Sequence, residues 1–420
     1  MPASLAPRWP PPNIPVPGTE PVTQAGGKLP DVGTTIFSLM SRRARELGAL
    51  DIGQGFPDYE VDPLLGRLLG EAVAAGHNQY APMGGSPALR QAIGDKIAAT
   101  RGVRVDADTE VTVTLGATEA LFSAIQAAVG PGDDAIVFDP AYDSYDPAIR
   151  LAGGRCVHIP LAPPMFRYDW ERVAAALTPR TRLIIINSPH NPGCTLAQGA
   201  DLDELARLTR DRGITVLSDE VYEHVVFDGR HHASVLAHPE LRQRSFAVFS
   251  FGKTLHATGW RVGYCVASAA LTRELRKVHQ FNTFSIAAPL QEAIARYLAA
   301  KPKAWDALSG FFQARRDRLL AGLAGSGIAT SAAEGTFFQL LDCSGLCRGS
   351  GTRSGAARGL AQDLEVAEAL LTQAGVATIP LSPFYAEPPP APYVRVCIAK
   401  REATLDEAVA RLVAFARTRG

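Results

Sequence analysis

Five short apolar runs between residues 110 and 250 constrain this chain more than any other feature. They cover residues 110–115, 135–138, 182–187, 214–218 and 246–250, are rich in Val and Ile, and show no polar face. A strand reads that way when both of its sides are buried. Helical patterns lie between several of them. One starts near Thr118, and another spans 201–212 with acid at its start and base at its end, as the helix dipole favours. This alternation predicts an α/β fold, a mostly parallel sheet between helices.

The 420 residues, 46% of them hydrophobic, can bury one large core and a lesser second one. The pattern places a large domain over 51–288 and a smaller α+β domain over 289–420, to which residues 29–50 are also expected to belong. The smaller unit is entered through one long helical stretch over 289–323. It continues with strands at 336–341 and 393–398 and helices at 363–374 and 404–416. Residues 1–28 combine Pro and Gly with few large apolar side chains and are expected to form a flexible tail. Residues 348–358, alternating Gly, Ser and Arg without aromatic residues, suit a solvated loop.

Lys plus Arg and Asp plus Glu balance at 42 each, so no basic field is available for nucleic acid or an anionic membrane. A small-molecule partner is expected. The start of the chain lacks the basic and apolar segments of a signal peptide, and no run is long enough for a spanning helix. The six cysteines are scattered, mostly in apolar runs, which predicts reduced thiols and a cytoplasmic protein. Cys343 and Cys347 have no second Cys or His pair nearby to complete a zinc site, and no metal is expected.

In open α/β sheets ligands bind beyond the carboxyl ends of the strands, which directs attention to four turns. Gly116-Ala117-Thr118-Glu119 opens a helix and can cradle a phosphate, although a glycine between strand and helix is also ordinary architecture. Ser188-Pro189-His190-Asn191-Pro192-Gly193 is either a rigid turn or a means of presenting Asn191. Asp219-Glu220-Val221-Tyr222 sets a carboxylate and a phenol at the sheet edge, where a helix cap is the plainer reading. Ser250-Phe251-Gly252-Lys253-Thr254 ends an apolar strand with a lysine that structure alone does not require but Schiff-base chemistry does.

Together with Asp51-Ile-Gly53-Gln-Gly55-Phe56-Pro57-Asp58, Asn78-Gln-Tyr80, Asp139-Pro-Ala-Tyr142-Asp-Ser-Tyr145, Thr258-Gly-Trp-Arg261 and Val394-Arg395-Val-Cys397, these turns resemble one family. It is the fold-type-I pyridoxal-phosphate aminotransferases of class I/II, in the branch holding kynurenine, glutamine and methionine aminotransferases. The likeness follows the family's order over about nine-tenths of the chain.

The resemblance implies a role for each residue. Lys253 would carry pyridoxal 5'-phosphate as a Schiff base and then shuttle a proton. Asp219 would pair with the pyridine nitrogen, Tyr222 and Asn191 with the phenolic oxygen, and Tyr142 would cover the ring. Gly116, Ala117, Thr118, Ser250 and Arg261 would hold the phosphate. Arg395 is expensive in an apolar strand unless it meets an anion; with Gly53 and Asn191 it would hold the substrate's α-carboxylate. Tyr80 would reach the partner's cofactor site in a homodimer with shared active sites.

The side-chain pocket implied by this likeness, around Phe56, Tyr80 and Phe281-Asn282-Thr283-Phe284-Ser285, is aromatic and neutral. The expected reaction moves the amino group of a large neutral or aromatic amino acid (methionine, phenylalanine, glutamine or kynurenine type) to a 2-oxo acid, and a dicarboxylic donor is not expected. A β-lyase acting on cysteine S-conjugates would use the same residues. A non-catalytic sensing module of this fold would need a DNA-binding helix-turn-helix, which the short N-terminal tail does not supply.

Overall fold

The computed structural model describes residues 27–347, 359–387 and 389–419. All but the last two residues of the expected tail, and the whole 348–358 loop, lie outside the described residues.

The first strand, β1 (Leu50–Asp51), stands apart from the main sheet. The next seven build it: β2 (Val111–Thr114), β3 (Asp134–Asp139), β4 (Arg155–Pro160), β5 (Thr181–Asn187), β6 (Thr215–Asp219), β7 (Ser245–Ser250) and β8 (Gly263–Ala267). Their order is β2-β8-β7-β6-β5-β3-β4, and β8 alone is reversed, pairing antiparallel with both β2 and β7. The five apolar runs correspond to β2, β3, β5, β6 and β7, each within a residue or two of its expected bounds. Beyond them, β4 had no expected counterpart. It is an edge strand whose Arg155 and His158 break the apolar run, as a one-sided edge allows.

Because β2, β5, β6 and β7 point the same way, their carboxyl ends reach one edge. The reversed β8 begins at that edge, with Gly263 beside Thr114 and Ser250. The four turns singled out above, and Arg261, are brought together by this topology.

A smaller sheet has the order β11-β12-β9, from β9 (Phe338–Asp342), β11 (Ile379–Pro380) and β12 (Tyr393–Cys397), while β10 (Val376–Ala377) pairs in parallel with β1. The backbone N–H of Cys397 also donates to Ile52 O at 2.6 Å, tying the segment after β1 to β12. Helix Ile36–Leu47, capped by Thr35 and ended by Gly48 at φ +61°, precedes this join. The continuous helical stretch expected over 289–323 is corrected: there are two helices, Ala288–Ala300 and Leu308–Leu323. Pro302 is the cause, since a proline forces the residue before it out of helical geometry, and Lys301 sits at φ −132°, ψ 70°.

Candidate active site

Lys253 lies in a one-turn helix, Phe251–Thr254, directly after β7. Its Nζ donates to Gly55 O at 3.3 Å and lies 5.5 Å from the Tyr222 ring centroid and 5.6 Å from that of Phe337. Burial, reinforced by repulsion from Arg261 and Arg395, pulls this amine down to about 8. Near neutrality a usable fraction is therefore unprotonated, as a nucleophile or base requires.

Asp219 ends β6 and is buried. Burial pushes its carboxyl up to about 6, against the opposing effect of Tyr145, whose hydroxyl donates to Oδ2 at 2.7 Å. Asn187, the last residue of β5, links two of the turns: its Nδ2 donates to Asp219 O at 2.8 Å and its Oδ1 accepts from Asn191 N at 2.7 Å. The Asn191 side chain faces onward, its Oδ1 accepting from Arg395 Nη1 at 2.8 Å.

Arg395 projects from β12, 1% exposed. Its guanidinium lies 3.8 Å from the Phe338 ring centroid and 4.9 Å from that of Phe37, and Nη2 donates to Gly53 O at 3.0 Å. Nε has no partner among the described residues. A buried guanidinium held by an amide and a carbonyl, with a donor left over, is a site for an anion. Tyr222 is buried against Phe337 and Phe338, and burial raises its phenol well above the ordinary range.

The turn after β2 is built for close approach. Gly116 has φ +71°, and a Cβ added there would lie 2.6 Å from Arg261 Nη2. Gly263 is pressed so near that its own Cβ would come within 2.7 Å of Ala117 N. The N-terminus of helix Gly116–Ala128, which includes Thr118, and the Arg261 guanidinium thus form one positive cradle, near Ser250 at the end of β7.

Most of the residues read from the sequence therefore lie on one linked framework. Phe56 is partly exposed at its rim, where its carbonyl accepts from Lys400 Nζ at 3.0 Å. Tyr80 and Phe284 are not drawn into the site of the single chain. They pair edge to face at 5.4 Å, with exposures of 85% and 49%. Sequence reasoning assigned no part to Tyr145, Asn187, Phe337 or Phe338. Tyr145 stands within a quoted motif and Asn187 ends the apolar run 182–187, but nothing in their spacing names their partners.

One further cluster of ligand-type atoms, from Asp146, Cys156 and His158, gathers within 4.8 Å. Its imidazole is already engaged. Burial opposes its proton, but the carboxylates of Asp139, 2.8 Å from Nδ1, and Asp146, 3.7 Å from Nε2, outweigh burial and push the imidazole up to about 12.

An amine of lowered proton affinity, a buried carboxylate and an anion cradle on one sheet edge, with a second anion site supplied by Arg395 of the smaller sheet, fit pyridoxal 5'-phosphate and an amino acid. The aminotransferase class I and II family profile matches residues 54–412. The chain is 49% identical over 385 residues to the methionine aminotransferase of Escherichia coli, covering 92% of this chain and 97% of that protein. It is 30% identical to human kynurenine--oxoglutarate transaminase 1, over 86% of this chain and 91% of the other. A solved structure of an Escherichia coli protein with methionine aminotransferase function superposes with a TM-score of 0.87 at 48% identity, covering 92% and 98% of the two chains. N-succinyldiaminopimelate aminotransferase of Mycobacterium tuberculosis superposes with a TM-score of 0.85 at 37% identity, covering 93% and 99%. The chain belongs to the class I and II aminotransferases and is a pyridoxal 5'-phosphate-dependent enzyme that transaminates amino acids.

Proposed function

We propose that this enzyme takes the amino group of methionine, or of another large neutral or aromatic amino acid, and delivers it to a 2-oxo acid. The observation that carries the reading is the set of hydrogen bonds from Arg395 to the Asn191 side chain, from the Asn191 backbone N–H to Asn187 and from Asn187 to the Asp219 carbonyl, which holds an α-carboxylate site at a set spacing from the residue whose carboxylate suits a pyridinium. The 49% identity to a methionine aminotransferase supports the donor.

When bound, the cofactor supplies an aldehyde carbon for amines and a ring that withdraws electrons from the substrate's Cα. Lys253 would hold that carbon, and its Nζ is the base that would carry the proton from Cα. Asp219, braced by Tyr145, would keep the ring nitrogen protonated. Tyr222 and Asn191 would hydrogen-bond the phenolic oxygen, and Tyr142 would cover the ring. Gly116, Ala117, Thr118, Ser250 and Arg261 would hold the phosphate. Arg395, Asn191 and Gly53 fix the α-carboxylate, and Phe56 and Phe284 border the substrate side chain.

Tyr80 belongs to the site of the partner subunit, so the working unit is a homodimer with shared sites, in the cytoplasm. Among the described residues no helix is long and apolar enough to cross a membrane. Residues 51–288 act as the cofactor-binding domain, and 29–50 with 289–420 as the smaller one.

The test is a panel of amino acids in single half-reactions, read by cofactor absorbance. Methionine and aromatic donors should react fastest and aspartate poorly, and preference for aspartate would overturn the substrate reading. Ammonia and a 2-oxo acid released from cysteine S-conjugates without any amino acceptor would instead mark β-elimination.

A further inference from the structure

Behind the cofactor face lies a buried group of charges that the reaction does not itself use. Lys96, in the middle of helix Pro87–Arg101, and Glu223, one residue beyond Tyr222, have side chains 1% and 2% exposed, and Lys96 Nζ donates to Glu223 Oε1 at 2.5 Å and to Tyr264 Oη at 3.1 Å. Arg101, at the end of the same helix, donates from Nη2 to Glu223 Oε2 at 2.7 Å and meets His232 Nδ1 at 3.0 Å. The other ring nitrogen, His232 Nε2, lies 2.9 Å from Ser188 O. A carbonyl only accepts and a guanidinium only donates, so the ring must carry its hydrogen on Nε2. Ser188 opens the turn that presents Asn191, and its N–H donates to Asp219 O at 3.1 Å.

Burying such charges costs several kcal/mol that packed apolar side chains would not, so their return lies elsewhere than in bulk stability. Their connectivity shows where. One branch ends on the residue after Tyr222, the other on the carbonyl three residues before Asn191.

We propose that Glu223 and His232 are positioning residues, which through Arg101 and Lys96 fix the Tyr222 and Asn191 turns at one separation and thereby set how strongly that pair hydrogen-bonds the cofactor. The inference rests on the assignment of Tyr222 and Asn191 to the phenolic oxygen made above. Hydrogen bonds weaken steeply with misalignment, so a small shift of either turn raises the proton affinity of the lysine-bound cofactor.

The measurement is a spectrophotometric pH titration of the holoenzyme's visible band. Tyr222→Phe is the benchmark and should move the midpoint upward. His232→Leu, of similar bulk but with no donor for Ser188 O, should move it the same way by about 0.5 to 1 pH unit. His232→Gln, whose amide can still donate, should restore it. Glu223→Gln, titrated in parallel, should also raise the midpoint and serves where His232→Leu does not fold. An unmoved midpoint in His232→Leu or Glu223→Gln, with Tyr222→Phe shifted, overturns the inference. So does a shift that His232→Gln fails to reverse, which would mark loosened packing. An unmoved midpoint in Tyr222→Phe instead removes the underlying assignment of Tyr222.

Discussion

Tyr145 donates its hydroxyl hydrogen to Asp219 Oδ2 at 2.7 Å, inside a core that otherwise disfavours the carboxylate. The bond stabilises the charged form of Asp219 but does not cancel the cost of burying it. That residual cost yields the first prediction.

In the cofactor-free chain the Asp219 carboxyl holds its proton up to about pH 6, against an ordinary value of 3.8. Between those values the folded chain binds more protons than the unfolded one, so stability falls as pH rises through that window and stays reduced above it, by about 3 kcal/mol. Asp219→Asn removes the cost. The cofactor-free variant should melt several degrees higher than the wild type at pH 7.5 and by a smaller margin at pH 5. Its turnover should fall by orders of magnitude, because an amide cannot keep the ring nitrogen protonated. Equal melting temperatures at both pH values would contradict this account of Asp219.

Gly116→Ala tests the anion cradle. The substitution strains φ +71° and drives a methyl to 2.6 Å from Arg261 Nη2, so cofactor affinity should fall roughly ten- to hundred-fold, the worth of a charged hydrogen bond. Gly213→Ala is the control: it has a similar φ of +65° but nothing within 4 Å of the added carbon. It should lose some stability and no affinity. Dissociation constants measured by cofactor titration of the apoproteins decide the matter.

Both of these sites bear on what the sequence could reveal. The large sheet was legible because strands buried on both faces leave unmistakable Val and Ile runs, and its active edge followed from where those runs end. The β4 strand was not, because an edge strand with Arg155 and His158 carries no such run. The break at Pro302 is present in the sequence, but the helical pattern on either side of it masks the break. Lys253, Asp219 and Arg395 stood out as polar residues at the ends or middle of apolar strands. Lys96 and Glu223 did not, since a lysine on an amphipathic helix and a glutamate after a turn ordinarily face solvent. Only the fold makes them buried partners.

Replacing Arg395 by Lys keeps the charge and loses the fork that now spans Asn191 Oδ1 and Gly53 O. The half-reaction with an amino acid should weaken by about 1.5 to 3 kcal/mol. Amines without a carboxylate should be affected far less. A lower melting temperature with an unchanged ratio of amino acid to amine activity would assign Arg395 a bracing role instead.

Phe281, Tyr80 and Phe284 present exposed aromatic surface, at 86%, 85% and 49%, which a stable partner would cover. Sedimentation equilibrium should give twice the mass of one chain. Phe281→Asp should shift that equilibrium toward single chains and lower activity with it, because Tyr80 is then withdrawn from the neighbouring site. A fully active monomer would contradict the shared-site arrangement.

The central claim is that Lys253 Nζ is the atom that holds the cofactor. Borohydride reduction of the purified holoenzyme, followed by proteolysis and mass spectrometry, locates the attachment directly. The account predicts a pyridoxyl-phosphate adduct on the peptide containing Lys253, and its loss, together with the visible band, in Lys253→Ala. An adduct on another lysine, or a visible band that survives in Lys253→Ala, would contradict it.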